Sequence, residues 1–462
     1  MRTKLSLLTA ALIASLNTQA DTLQDIYQAA LLNDHQLKAD EAAYLAGKES
    51  LTLGRAGLLP QITAGAGYTD SETDSYTELG SIVADGTSES SGTSWNVGVS
   101  QALFDLGTWY SYKSGQSQSA LAAEQFAADQ QAMIVRVAEA YFNVLRAIDT
   151  LTASEAEEKA IGSQLEQTRQ RFEVGLTAIT DVHEAQAAFD SAVAERLIAE
   201  GQLGINYEQL EVITGISSES ISPLKANFPV IDPVPAARQP WVEFSLSNNR
   251  DLRVSRLNAE SARYSASAAK AGHYPTLRAS YQYTDNDFDG NNVAGISNAS
   301  DTQDSTIGLT LSMPLYTGGS VSGQRRQANQ RAIQADEISK LTERNIVQSA
   351  RSFHLAVTTN VSRVKARKQS IISAQSAVDA TQAGYEVGTR NLVDVLLAQQ
   401  TLYQAQRDYS NALYDYVINQ FRLRQVAGSL SPQDVLEINQ WLDQVDIIKK
   451  SDYENRSYDS RN

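Results

Sequence analysis

The sequence predicts a mainly α-helical chain that also contributes strands to a β-barrel, built by internal duplication. Three observations predict it: a self-match at fixed offset, four alternating segments of bilayer-spanning length, and long proline-free helical stretches between them. Phe172-Glu173-Val174-Gly175-Leu176, then Ile179-Thr180-Asp181-Val182, returns as Tyr385-Glu386-Val387-Gly388-Thr389, then Leu392-Val393-Asp394-Val395. The offset is 213 (388 − 175). Ala185-Gln186 with Ala398-Gln399, Asn206 with Asn419, and Gly215 with Gly428 all keep it. A gapless match over roughly forty residues marks a duplicated unit. Each copy reads as a helical hairpin turning at Val-Gly.

A chain of 462 residues has room for two or three ordinary domains. The repeat argues instead for one body of two similar halves, 21–215 and 241–428. Hydrophobic residues make up 42% of the chain; many are Ala, which with Gln and Ser suits long helices packed closely. A formal charge of −16 with no basic cluster excludes nucleic acid as a partner. An acidic surface along a path would attract cations. With no cysteine, neither a disulfide framework nor a thiolate metal site is available.

At the N-terminus, Arg2 and Lys4 precede an apolar run at 5–16, and Thr18-Gln19-Ala20 sets small residues before Asp21. This reads as a secretory signal, 1–20, and its apolar run is too short to span a bilayer. No other stretch is long and apolar enough for a transmembrane helix. An exported chain of this kind is soluble in the periplasm, secreted, or a β-barrel in the outer membrane.

After a helical pattern (Leu23, Ile26, Tyr27, Ala30, Leu31) and a break at Asn33-Asp34, a second helix runs to Gly57, and Pro60 stops it. Residues 61–70 then alternate, with Ile62, Ala64, Ala66 and Tyr68 on one face. A Ser-, Thr- and Gly-rich segment at 71–94 reads as an exposed loop, and alternation resumes with Trp95, Val97, Val99, Gln101 and Leu103. The second half repeats the plan. Pro275 breaks a helix, Leu277, Ala279, Tyr281 and Tyr283 alternate, and a polar loop at 285–304 leads to Ile307, Leu309, Leu311, Met313 and Leu315. Each strand is about ten residues long, enough to cross a bilayer when tilted. Each has an apolar face and a small or polar face, as a membrane barrel requires. Trp95, Trp109, Tyr110 and Tyr112 fit an interfacial aromatic girdle. Four strands cannot close a barrel, since the smallest has eight, so copies of the chain must pool them.

Between strands and hairpin tips lie long helices. From about 115 to 174, Met133, Val137, Tyr141, Val144, Ile148 and Leu151 recur at three- and four-residue steps. In the second half, Val357, Val361, Val364, Lys368, Ile371, Gln375 and Val378 predict a coiled-coil seam with two polar interruptions. The returning helix, 177–215, is shorter, and the helix before the first strand makes up the length if the two stack end to end. The Pro-rich stretch 216–240 reads as an extended linker. With the first helix and the segment 429–445 it forms an expected equatorial collar, and 446–462 is expected to be a disordered tail.

The signal segment, duplicated half, paired strands and Val-Gly hairpins together resemble the TolC family of outer-membrane efflux tunnels, over roughly 21–445. The most specific stretches are Ala140-Tyr141-Phe142-Asn143-Val144-Leu145, Gln170-Arg171-Phe172 through Thr180-Asp181-Val182, and Ala383-Gly384-Tyr385 through Val395-Leu396. The resemblance implies a homotrimer: twelve strands in one outer-membrane barrel above a periplasmic tunnel of twelve helices. It also implies a periplasmic adaptor protein and an inner-membrane transporter as partners, with drugs, small toxic compounds or proteins passing through in efflux or type I secretion.

The resemblance assigns a periplasmic gate to Thr180 and Asp181 on one hairpin and to Tyr385 and Arg390 on the other. Arg390 can pair with the Asp181 carboxylate and the Tyr385 hydroxyl can donate to it, each bond worth on the order of 1–3 kcal/mol where partly desolvated. Asp181 and Asp394 also suit the positive end of a helix, whereas Arg390 does not. Asp394 matches an aspartate that forms an acidic constriction ring in the family. Leu397 stands where the family carries a second acidic ring, a departure that bears on cation selectivity. The tips, Val174-Gly175-Leu176 and Val387-Gly388-Thr389, match the adaptor-docking surface. Glycine at such a turn also simply ends a helix.

An enzyme is not expected. His35, His183, His273 and His354 are scattered, and no metalloprotease, nucleophile-elbow or phosphate-loop motif is present. No cofactor or metal is implied. The alternative is a secreted or periplasmic coiled-coil structural protein, which accounts for the helices but not for the strands.

Overall fold

Breakers and caps set the element boundaries. The computed structural model describes residues 21–79, 82–291, 297–443 and 448–450; the signal segment 1–20 lies outside them. The first half runs α1 (Leu23–Asn33), α2 (His35–Lys48), α3 (Ser50–Ala56), β1 (Gln61–Leu79), β2 (Ile82–Phe104), α4 (Leu106–Glu173) and α5 (Ile179–Thr214). After β3 (Ser220–Ile221) and α6 (Arg238–Asn248) the plan repeats. It comprises α7 (Arg250–Ala271), β4 (Thr276–Gly290), β5 (Ser300–Ser312), α8 (Ser320–Glu386) and α9 (Leu392–Val426). The chain ends with α10 (Pro432–Asn439) and β6 (Ile448–Lys449).

One compact unit comprises 42–125 and 251–342. Its sheet has the order β1-β2-β4-β5, antiparallel throughout. The outer edges of β1 and β5 have no partner among the described residues. On β5, Ile307, Leu309 and Leu311 are 84, 69 and 70% exposed, an apolar face turned outward. Trp95 stacks at 5.1 Å on Tyr283 across the β2–β4 pair.

The loop expected at 71–94 is instead a continuation of the first hairpin, paired as far as Leu79 with Ile82. This part of the ribbon is rich in Ser, Thr, Gly, Asp and Glu and so carries no apolar alternation. The ladder bonds hold the pairing without it, and Ser71 with Ser90 (2.8 Å) and Thr87 with Asp74 (2.7 Å) add side-chain links. The loop expected at 285–304 likewise shortens, because β4 continues to Gly290 and β5 starts at Ser300. Beneath the sheet, α4 begins at Leu106, not near 115, because the Asp105 side chain accepts the Thr108 amide (2.9 Å) and caps it. Trp109, Tyr110 and Tyr112 therefore sit on the first turns of a helix. Small residues let the helices approach: a Cβ on Gly115 would lie 2.4 Å from the Ser50 carbonyl oxygen. The Ser114 hydroxyl bonds those of Ser261 (2.9 Å) and Ser265 (3.0 Å).

The other unit comprises 21–41, 126–250, 343–443 and 448–450 among the described residues. Met133, Val137, Tyr141, Val144, Ile148 and Leu151 are all buried, with Val357, Val361 and Val364 from α8 in the same core. Beyond Val364 the seam departs from the expected register. Lys368 and Gln375 are exposed, while Ile371, Ala374 and Val378 pack against Leu402 and Ala405 of α9. Arg367 takes the place assigned to Lys368 and pairs with Asp408 at 3.0 Å. The step from Val364 to Arg367 is three residues, a local overwinding of the 4-3 pattern.

Stacking of helix ends appears twice. Asn33 donates through Nδ2 to the Thr214 carbonyl (2.8 Å) where α5 meets the start of α2, and Asn249 does so to Val426 (3.0 Å) where α9 meets α7. Gly215 and Gly428 end α5 and α9 at φ +68° and +69°. The Gly428 Cα lies so close to the Asn248 carbonyl that a Cβ there would fall 2.3 Å from its oxygen. A side lobe gathers beside these helices: Lys225 N bonds Trp441 O (2.9 Å), Asp443 N bonds Pro223 O (2.8 Å), and Gln24 N bonds the Asn439 side chain (3.1 Å). Residues 448–449, placed by sequence in a disordered tail, form β6 and pair with β3. Lys450 lies 5.4 Å from the Tyr207 ring, an anchor that charge composition does not reveal.

Burial couples the titration of Asp149 to the stability of this unit. Asp149 accepts the Tyr414 hydroxyl at 2.9 Å, and burial raises its pKa above 3.8 despite hydrogen bonds from Ser410 and Tyr414 that lower it. Below 3.8 both states hold the proton. As pH climbs past 3.8 the unfolded chain releases it first, so stability falls until the folded pKa is passed and stays lower above it. Asp149→Asn should remove this loss. Thermal unfolding from pH 4 to 7 should show the variant gaining on wild type as pH rises, and parallel profiles would contradict the assignment.

Candidate functional site

The two hairpin tips are built alike. Helix α4 stops where Gly175 takes φ +75°, with Gly175 N bonded to Phe172 O (2.9 Å) and Leu176 N to Arg171 O (2.8 Å). Helix α8 stops at Gly388, φ +79°, with Gly388 N bonded to Tyr385 O (3.1 Å) and Thr389 N to Gly384 O (2.8 Å). Both are left-handed helix terminations that only glycine adopts cheaply. The tips carry bare apolar residues: Val174, Leu176 and Val387 are 69, 70 and 76% exposed.

The returning helices begin differently. Asn391 caps α9, accepting the Asp394 amide (2.8 Å), while the Asp394 carboxylate accepts the Asn391 amide (3.4 Å) in a capping box. Ala178 offers α5 no side-chain cap. Instead, Asp181 accepts hydrogen bonds from the Thr177 hydroxyl and, at 3.4 Å, from Thr180. Arg390 pairs with Asp394 at 3.8 Å. Thr177 and Arg390 are repeat-equivalent, as are Asp181 and Asp394, so each copy binds its aspartate from four residues upstream.

Within one chain, among the described residues, neither Arg390 nor the Tyr385 hydroxyl bonds Asp181. Arg390, two residues before α9, pairs with Asp394 in the first turn of that helix, and the Tyr385 hydroxyl is buried without a hydrogen-bond partner among the described residues. Tyr385 does join the hairpins by packing: with Leu392 and Val395 it meets Leu165 and Ala185 of the first hairpin, flanked by Phe189 and Leu396. The Arg171 guanidinium lies 4.8 Å from the Tyr385 ring centroid, a cation–π contact.

Arg171 and Phe189 were not singled out from sequence. A signal existed at offset 213, because Arg171 stands opposite Gly384. A Cβ at Gly384 would lie 2.8 Å from Arg390 Cγ, so the glycine makes room for the Arg390 side chain. The two copies thus differ where the hairpins touch.

Beside this seam a cleft of about 850 Å³ opens among α4, α5 and α9. Glu157, Glu184 and Glu195 line it with Arg407, Val393 and Leu397. Arg407 pairs with Glu157 at 2.7 Å, both nearly buried. Asp394 lies one turn from Leu397 at the edge of this cleft, with its side chain 37% exposed. The arrangement is a cleft lined by charged and apolar side chains beside the apolar cluster of Leu165, Ala185, Tyr385, Leu392 and Val395.

Comparison with known proteins fits this geometry. The sequence profile of the family described as "Outer membrane efflux protein" matches residues 26–216 and 241–429. Outer membrane protein TolC of Vibrio cholerae is 37% identical over 443 residues, 95% of this chain and 98% of that protein. The proteases secretion protein PrtF of Dickeya chrysanthemi is 30% identical, covering 98% of each. Among solved structures, the outer membrane protein VceC of Vibrio cholerae superposes with a TM-score of 0.73 at 20% identity, over 88% of this chain and 96% of that one. None of these relatives is a secreted coiled-coil rod, and that alternative has no support. With its profile spanning both halves and relatives matched nearly end to end, the chain belongs to the outer membrane efflux protein family.

Proposed function

We propose that three copies of this outer-membrane efflux channel pool their sheets into one twelve-stranded barrel and their helices into a tunnel reaching into the periplasm. The observation that carries this reading is the four-stranded sheet with two unpaired edges and an outward apolar face. Hydrocarbon cannot satisfy open edges, so closure has to come from other copies. The halves 21–215 and 241–428 act as the two quasi-equivalent staves of each copy, joined by the linker 216–240 and braced by the equatorial segment 429–445.

The channel catalyses no reaction. Energy for export comes from an inner-membrane transporter joined through a periplasmic adaptor. The bare apolar tips, Val174-Gly175-Leu176 and Val387-Gly388-Thr389, offer the adaptor a docking surface. Cargo includes small toxic compounds and drugs, and, by analogy with the protease-secretion relative, proteins in type I secretion.

Thr180, Asp181, Tyr385 and Arg390 form the periplasmic gate, and three Asp394 carboxylates form its acidic constriction. The unbonded Tyr385 hydroxyl and the locally engaged Asp181 fit a gate whose latch bonds are unmade in the isolated chain. A neighbouring copy supplies the surface against which Arg390 exchanges its weak pair with Asp394 for Asp181. That exchange is cheap, because an exposed pair at 3.8 Å contributes on the order of 0–1 kcal/mol.

Tyr385→Phe combined with Arg390→Ser should give a larger resting single-channel conductance than wild type in a planar bilayer. Equal conductances would contradict the latch. Asp394→Ala should move the reversal potential under a salt gradient toward zero as cation preference falls, and an unmoved potential would remove the acidic ring.

A further inference from the structure

A cationic groove lies beneath the sheet in an otherwise acidic chain. It has a volume of about 740 Å³ and runs between the end of α7 and the beginning of α8. Arg263, Lys270, Arg325 and Arg326 line it, with Asp336 the only carboxylate among its lining residues. Asp336 is already engaged: Arg263 grips it through Nε (3.0 Å) and Nη2 (2.7 Å). Lys270, Arg325 and Arg326 are exposed and have no ion pair among the described residues.

Helix electrostatics do not account for all three. Lys270 stands in the last turn of α7, where a cation is favoured. Arg325 and Arg326 stand in the second turn of α8, near the positive end of its dipole. Two adjacent exposed arginines with no ion pair among the described residues leave this face of α8 with positive charge that an anionic group can engage through charge-assisted hydrogen bonds.

The level of the groove identifies that anion. Lys270 precedes the first residue of β4, Thr276, by less than two turns of chain, and α8 starts shortly after β5 ends at Ser312. Between β5 and α8, Leu315 and Tyr316 are each 90% exposed. At the head of α4, Trp109 is exposed and packs at 5.6 Å on Tyr112, with Lys113 5.5 Å from the Trp109 ring centroid. Exposed aromatic and long apolar side chains at the end of spanning strands mark the headgroup level of a bilayer. A free phosphate would use the cations and leave Leu315 and Tyr316 bare, whereas a lipid uses both.

We propose that the groove formed by Lys270, Arg325 and Arg326 binds the phosphodiester headgroup of an anionic glycerophospholipid from the periplasmic leaflet, with its acyl chains against Leu315 and Tyr316. Each arginine supplies a planar fork matched to phosphate oxygens, and the Arg263–Asp336 pair lines the groove beside them. The proposal rests on the sheet lying in the outer membrane, which channel recordings test separately from lipid preference.

The test uses the full chain purified as its oligomer in neutral detergent, with lipid binding read by native mass spectrometry. Wild type should bind dioleoylphosphatidylglycerol more tightly than dioleoylphosphatidylcholine, by roughly fivefold per cation engaged. Lys270→Gln with Arg325→Gln and Arg326→Gln should lose that preference while keeping the oligomer, and Arg325→Lys with Arg326→Lys should keep most of it. Inorganic phosphate at matched ionic strength should fail to displace the lipid. Equal binding of both lipids by wild type, an unchanged preference in the triple Gln variant, or displacement by free phosphate would each overturn the proposal. Loss of the oligomer with preference intact would overturn it as well, by assigning the cations to a neighbouring copy.

Discussion

In hydrocarbon, a backbone amide or carbonyl without a partner costs several kcal/mol, so a sheet that spans a membrane has to close on itself. This chain provides four antiparallel strands in the order β1-β2-β4-β5 and, among the described residues, leaves the outer edges of β1 and β5 unpaired. Everything else in the molecule is consistent with that deficit being met by further copies. Duplication gives each copy two hairpins of strand and two of helix, so a ring of copies is also a ring of near-equivalent units. The small residues that let helices approach closely, Gly54, Gly115 and Ser114 among them, lie just beneath the sheet, where a cylinder has to be tightly walled.

The two halves are alike where architecture demands it and different where the hairpins meet. Gly175 and Gly388 end their helices in the same way, and Gly215 and Gly428 do so at the far ends of the returning helices. At the seam the equivalence breaks: in the repeat alignment Arg171 corresponds to Gly384, Thr177 to Arg390, and Ala178 to the capping residue Asn391. The proposed gate residues Tyr385 and Arg390 lie within that asymmetry. Arg171 of the first hairpin lies on the Tyr385 ring of the second, and Arg390 pairs with Asp394 within the second; neither the cation–π contact nor the ion pair has a counterpart at the repeat-equivalent positions.

Much of this was legible in the sequence because it is carried by backbone demands and periodicity. Pro60, Pro275 and the positive-φ glycines fix where elements end, and Met133 through Leu151 fix the buried face of α4. Other features were not legible, for specific reasons. The extension of β1 and β2 through 71–94 carries no apolar alternation, because it is held by ladder hydrogen bonds between backbones, which set no side-chain pattern. The early start of α4 depends on one cap at Asp105. The seam at Arg367 and Ala374 escaped because Arg contributes an apolar stem as well as a charge, while Lys368 and Gln375 matched the heptad only by count. Pairing of β3 with β6 joins residues far apart in sequence, and no local pattern reports it. The candidate gate residues could be picked out through the family resemblance. Their bonding partners within one chain could not, since those depend on which carboxylate lies nearest in three dimensions.

The account depends most on neighbouring copies closing one another's sheets, and the absence of native cysteine makes this directly measurable. One cysteine at Thr69 in β1 and a second scanned along 302–310 in β5 should, on oxidation in membranes, yield disulfide-linked species at two and three chains, with nothing larger. A chain that stays single at every scanned position, or a ladder that continues past three, would contradict it.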